Sequence, residues 1–107
     1  MRYLCLSYLK YLLFSAYYKR ATAKHLSNQY SAALRDLQMA IAQQPDYHLA
    51  RFSRAKINKE MANFAAAIAD LETIMKDLPQ DNNNYKKAKD EIAAYLGFYS
   101  YLVFGFP

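Results

Sequence analysis

Apolar positions along this chain fall into three stretches: an apolar beginning, a patterned middle and an apolar end. In the middle, Phe64, Ala67, Ile68, Leu71 and Met75 recur at steps of three and four residues. Steps of that size bring side chains to one face of a helix, here predicted over Phe64–Asp77. The segment Tyr30–Gln43 carries the same pattern. A helix is expected before each of these, from about Ser15 to Leu26 and from about His48 to Met61. Short polar corners, Ser27-Asn28-Gln29 and Ala62-Asn63, separate the members of each pair. Pro45 and Pro79 end the second helices, because proline has no N–H and its ring clashes with the preceding turn. A polar stretch, Gln80 to Asn84, follows, with Asp81 or Asn82 as an N-cap. A last helix is predicted from about Asn84 to Leu96, with Tyr85, Ala88, Ile92 and Tyr95 or Leu96 facing inward and Lys86, Lys87 and Lys89 facing water. No strand pattern interrupts residues 17–94, and with 2 Gly and 3 Pro in the chain the fold class expected is all-α.

The middle also repeats itself. Tyr30–Pro45, YSAALRDLQMAIAQQP, aligns without a gap on Phe64–Pro79, FAAAIADLETIMKDLP, at an offset of 34 residues. Ala33 falls on Ala67, Leu37 on Leu71, Asp36 on Asp70 and Pro45 on Pro79. Upstream, Tyr18 falls on Phe52 and Arg20-Ala21 on Arg54-Ala55. Alanines at 33, 40, 55 and 67 allow neighbouring helices to approach closely. Asp36 and Asp70 are equivalent positions, expected to pair with arginines of neighbouring helices.

Such repetition, with small Ala21 and Ala55, aromatic Tyr30 and Phe64, and Pro45 and Pro79 in place, resembles the tetratricopeptide repeat (TPR), whose period is about 34 residues. The resemblance covers Tyr17 to about Ala94. It implies a right-handed superhelix of antiparallel helix pairs, about two and a half repeats with a C-terminal capping helix. The corresponding organisation is an apolar N-terminal segment (1–14), repeat one (15–46), repeat two (47–80), a capping helix or partial third repeat (81–97) and an apolar tail (98–107). Two departures stand out: Arg20 and Arg54 occupy a position usually large and apolar, and Ile74 replaces the small residue that Ala40 supplies in the first copy.

The runs AYYKRAT (16–22), AALRDLQMAI (32–41) and ARFSRA (50–55) are similar to the TPR region of the DnaJ homolog subfamily C co-chaperones. That resemblance implies a module binding unfolded or extended polypeptide, in the endoplasmic-reticulum lumen; otherwise a cytoplasmic location is expected. No His-Pro-Asp tripeptide occurs, so the Hsp70-recruiting J domain of those proteins is missing, and the chain is expected to be a fragment. By analogy with TPR arrays, the first helix of each unit lines a groove. The groove residues are Tyr18, Thr22, His25, Leu49, Phe52, Lys56 and Lys59, with Lys19 and Ser53 at the rim. Lys19 and Ser53 stand where a carboxylate clamp would want Asn and Arg, which disfavours that mode of binding. Tyr18 and Phe52 read equally as packing between helices, and Lys56 and Lys59 as solvated surface.

The ends change the picture less. YLCLSYLKYLLFSA (3–16) is weakly signal-like or a helix extension, and Lys10 argues against a membrane span. The stretch 92–107 carries no charge and is expected to dock on the last repeat, to present a binding patch, or to anchor at a membrane. These ends give an alternative function, a membrane-associated scaffold held through its apolar termini. Net charge is +5, and no acidic residue precedes Asp36, yet no nucleic-acid motif accompanies the charge. Nucleic acid is not expected as a partner. A single cysteine, Cys5, excludes a disulfide framework and is expected to be a buried, inert thiol. His25 and His48 lie far apart with no acidic cluster, so no metal or other cofactor is expected. No nucleophile elbow, phosphate loop or acid–base carboxylate pair occurs, and the chain reads as a binding protein, not an enzyme.

Overall fold

The computed structural model describes the backbone of residues 2–105 and the side chains of residues 6–97 and Gly105. The expectations for the Cys5 thiol and for docking of the 98–107 tail fall on side chains outside these. The described residues are all-helical, with no strand: α1 (Arg2–Leu26), α2 (Tyr30–Gln43), α3 (His48–Glu60), α4 (Phe64–Asp77) and α5 (Asn83–Phe104). Two compact units divide the chain, Met1–Ser53 and Arg54–Pro107, with the boundary inside α3.

In the first unit α1 packs against α2. Ala21 on α1 and Ala33, Leu37 and Ala40 on α2 are buried, the alanines small enough to let two helices pack closely. α1 begins at Arg2, so residues 2–14 extend the helix expected from about Ser15, since nothing in them breaks a helix. At 25 residues α1 is about 37 Å long, against about 21 Å for the 14 residues of α2. Its first half therefore overhangs the helix it packs on.

The second unit sets α4 against α5. Phe64, Ala67, Leu71 and Ile74 form the buried stripe of α4, and Ala88 and Tyr95 meet the core from α5. Ile74, which departs from the small residue of the first copy, is fully buried, whereas Met75 is only half-buried. Tyr95, not Leu96, is the inward residue of the last turn before Gly97. Asn82 caps α5: its side-chain oxygen accepts the Asn84 backbone N–H at 2.8 Å. α5 runs past Leu96 to Phe104, since Gly97 alone does not stop a helix, and the backbone then turns left-handed at Gly105 (φ 74°).

Both inter-helix corners are built alike. The Asn28 N–H donates to the His25 carbonyl and the Gln29 N–H to the Lys24 carbonyl, at 3.0 and 2.8 Å. In the second corner Ala62 N–H reaches the Lys59 carbonyl and Asn63 N–H the Asn58 carbonyl, at 2.9 and 2.7 Å. This is the Schellman pattern, which satisfies carbonyls left open at a helix end. It requires a left-handed residue, here Asn28 (φ 63°) and Ala62 (φ 62°), again 34 positions apart. Neither following helix has a side-chain N-cap bond, so the backbone turn alone shapes the corner. At the far ends Gln44 and Leu78, each preceding a proline, are extended, as proline demands of its neighbour.

Asparagine tolerates the left-handed region, but alanine costs about 1–2 kcal/mol there. Ala62→Gly should stabilise the chain by about 0.5–1 kcal/mol after glycine's extra chain entropy, a rise of a few degrees in a thermal melt. Ala62→Val should lower it. Gly97 lies within α5 with open space around an added Cβ. Gly97→Ala should add a further gain of about 0.5–1 kcal/mol; an unchanged melt for both variants would contradict the backbone account.

Candidate functional site

The positions predicted to line a groove have unlike environments. Tyr18 is half-buried in the first unit, its ring edge-on to Tyr47 at 5.4 Å between centroids. Tyr47 also meets Phe14 at 4.9 Å, and Phe14 meets Tyr11 at 5.4 Å. Tyr11, Phe14 and Tyr18 are spaced along one face of α1, so the cluster clips that face to the turn before α3. Burial raises the pKa of the Tyr47 hydroxyl, and the neighbouring Tyr18 and Tyr11 act in the same sense. The turn itself is held by Arg51, whose Nε and Nη2 donate to the Pro45 carbonyl at 3.2 and 3.0 Å.

Thr22 is exposed, and its hydroxyl donates to the Tyr18 carbonyl one turn back at 3.0 Å. His25 is half-buried with its ring 5.6 Å from Tyr30. Leu49 is 54% exposed, while Phe52 is only 8% exposed and belongs to the core. Truncating Phe52 would therefore unfold before it informed on binding. Lys56 is exposed and Lys59 half-buried, both in the second unit, and at the rim Lys19 is exposed and Ser53 half-buried.

A feature missed in the sequence lies on α1. Leu13, Ala16, Tyr17 and Arg20, one helical stripe by spacing, line a shallow apolar hollow of about 250 Å³. The Arg20 guanidinium sits 5.6 Å from the centre of the Tyr17 ring, a cation–π arrangement. The spacing 13, 16, 17, 20 was legible, but nothing in it distinguishes an open stripe from a packed one.

Arg20 is fixed from the other side. Its Nε and Nη2 donate to the two carboxylate oxygens of Asp36 at 2.9 and 2.7 Å, and Lys24 Nζ lies 3.0 Å from the same carboxylate. In the second unit Arg54 grips Asp70 in the same fork, at 2.7 and 2.5 Å. The arginines that depart from the TPR pattern are thus the partners of the equivalent aspartates. Each arginine stands eight residues before the left-handed corner residue and each aspartate eight after it, which is how an antiparallel hairpin brings two positions level. Asp36 is nearly buried, and the hydrogen bond from Arg20 holds its pKa below the ordinary 3.8, with Lys24 adding to the effect and burial opposing it. Among the described residues no group of three or more His, Cys, Asp or Glu is placed to hold a metal.

Because the folded-state pKa of Asp36 is depressed, its contribution to stability is complete above pH 3.8 and fades as pH falls through the lower folded value. The urea midpoint of the wild type should drop on acidification below that pH, and Asp36→Asn should flatten this limb; identical acid limbs would refute the pairing. Arg54→Ala, which strips a forked partner from buried Asp70, should cost about 1–3 kcal/mol at neutral pH in the same assay.

Comparison with known protein families, with curated proteins and with solved structures finds no match to this chain.

Proposed function

We propose that this chain is a protein-binding module of the TPR superhelical type, with α5 as its capping helix, that holds unfolded or extended polypeptide in the manner of a chaperone. The observation that carries this reading is the recurrence of the contacts that build a helical corner, and not merely a residue pattern, after 34 residues. Buried alanines, the left-handed corner residue, the Arg–Asp fork and the extended residue before proline all return at that interval. A repeated hairpin is the unit from which extended binding surfaces are assembled. The similarity of residues 16–22, 32–41 and 50–55 to DnaJ-type co-chaperones supports unfolded polypeptide as the ligand class and the endoplasmic-reticulum lumen as the compartment.

Within the first unit two accessible apolar features suit such a ligand, the exposed side chain of Leu49 and the hollow beside Arg20. The hollow accepts an aliphatic or aromatic side chain, and the exposed flank of the Arg20 guanidinium favours an acidic or carbonyl group next to it.

The purified chain should suppress aggregation of a chemically unfolded client such as reduced α-lactalbumin. Leu49→Ser and Leu13→Ser, both at exposed positions, should each weaken client binding about tenfold, the loss of roughly one apolar contact, with helical content unchanged by circular dichroism. A chain that leaves client aggregation unaltered would sink the proposal.

A further inference from the structure

The overhanging half of α1 presents Leu6, Tyr8, Leu9, Tyr11, Leu12 and Leu13 to solvent, each 43–63% exposed. At about 100° per residue these six sweep most of the helix circumference, so the exposure is a contiguous surface and not scattered single residues. Lys10 lies at its edge, one turn from Leu6 and from Leu13, and is itself exposed. α1 contains Arg2, Lys10, Lys19, Arg20 and Lys24 and no acidic residue.

Charge is divided unequally between the units. Met1–Ser53 holds seven Lys and Arg against two Asp and Glu, whereas Arg54–Pro107 holds seven of each. The whole net charge of +5 therefore belongs to the unit that bears the exposed apolar helix. No helix of the described residues is long and apolar enough to cross a membrane. An apolar surface carrying tyrosines, edged by a lysine and set in a basic unit fits the boundary between headgroups and acyl chains, where aromatic rings and snorkelling lysines are favoured.

We propose that the first half of α1 docks on the surface of an anionic bilayer, with Leu6, Leu9, Leu12 and Leu13 entering the acyl boundary and the cations of the first unit facing acidic headgroups. The helix lies in the interface and does not span it. A second copy of the chain is the weaker occupant, because two units of charge +5 repel each other while an acidic headgroup layer neutralises them. This inference does not require client binding, although Leu13 belongs to both surfaces.

The test is co-sedimentation of the full chain with phosphatidylcholine vesicles containing about a third phosphatidylserine, against vesicles of phosphatidylcholine alone. Binding to the acidic vesicles should be tighter by about tenfold or more and should weaken as salt rises, since charge attraction is screened within about 10 Å at 0.1 M. Leu9→Ser with Leu12→Ser should abolish binding to both vesicle types. Lys10→Glu with Lys19→Glu should remove the preference for the acidic vesicles. Circular dichroism and thermal melts confirm that each variant keeps its fold, as expected at exposed positions. Equal binding to both vesicles, binding unaffected by the leucine changes, or dimerisation without lipid that the leucine changes abolish would each overturn the proposal.

Discussion

Asp36 and Asp70 are carboxylates on the buried faces of α2 and α4, among alanine and leucine side chains. A carboxylate taken out of water must meet a cation and hydrogen-bond donors or be expelled from the core. Each is met by an arginine of the preceding helix through two parallel bonds. This demand sets the register of the hairpins. The fork closes only when the arginine and aspartate stand level, and they do so when the chain reverses midway between them. The corner residue, the buried alanines and the helix lengths are consistent with that single register.

The two hairpins satisfy the same demand with different margins. Asp36 is held by Arg20 and Lys24, and its arginine is 58% exposed. Arg54 is more enclosed, at 26%, so its pair with Asp70 is the less screened by solvent. In Arg54 the hydrogen bond to Asp70 outweighs burial and raises an already high pKa. On α5, burial pushes the Tyr95 hydroxyl up to about 12, with Glu91 adding to it, so that it stays neutral where it enters the core. Local polarity in this chain is accordingly concentrated where helices meet, while apolar side chains are left open along the first half of α1.

That inversion connects fold to function. Alanine packing lets α1 and α2 approach closely but leaves little aliphatic bulk to cover anything else. Apart from Leu26 at the corner, the exposed large apolar residues of α1 stand where α2 has ended. A shallow hollow, an exposed Leu49 and an uncovered overhang are what the first unit offers to other molecules. The proposed binding of polypeptide and the proposed contact with a lipid surface both draw on that surplus, and Leu13 is common to the two.

Periodicity and the 34-residue offset were sufficient for the helical class, the bounds of α2 and α4, the corner positions and the prolines that close each pair. These are local or self-referential properties, written in spacing, and they need no knowledge of neighbours. The pairing of Asp36 and Asp70 with arginines was legible for the same reason, since both partners recur together. The helical continuation of α1 through residues 2–14 was one of two readings the sequence left open, and the extension of α5 beyond Leu96 was not expected at all. Nor could spacing tell that Phe52 is buried while Leu49, three residues earlier on the same helix, is open. Burial depends on what lies opposite a side chain, and the chain's own order does not state it. Thus the sequence alone determined the repeating hairpin and its internal register. Which apolar residues remained available for binding was decided only when helices of unequal length packed and one of them ran past the end of its partner.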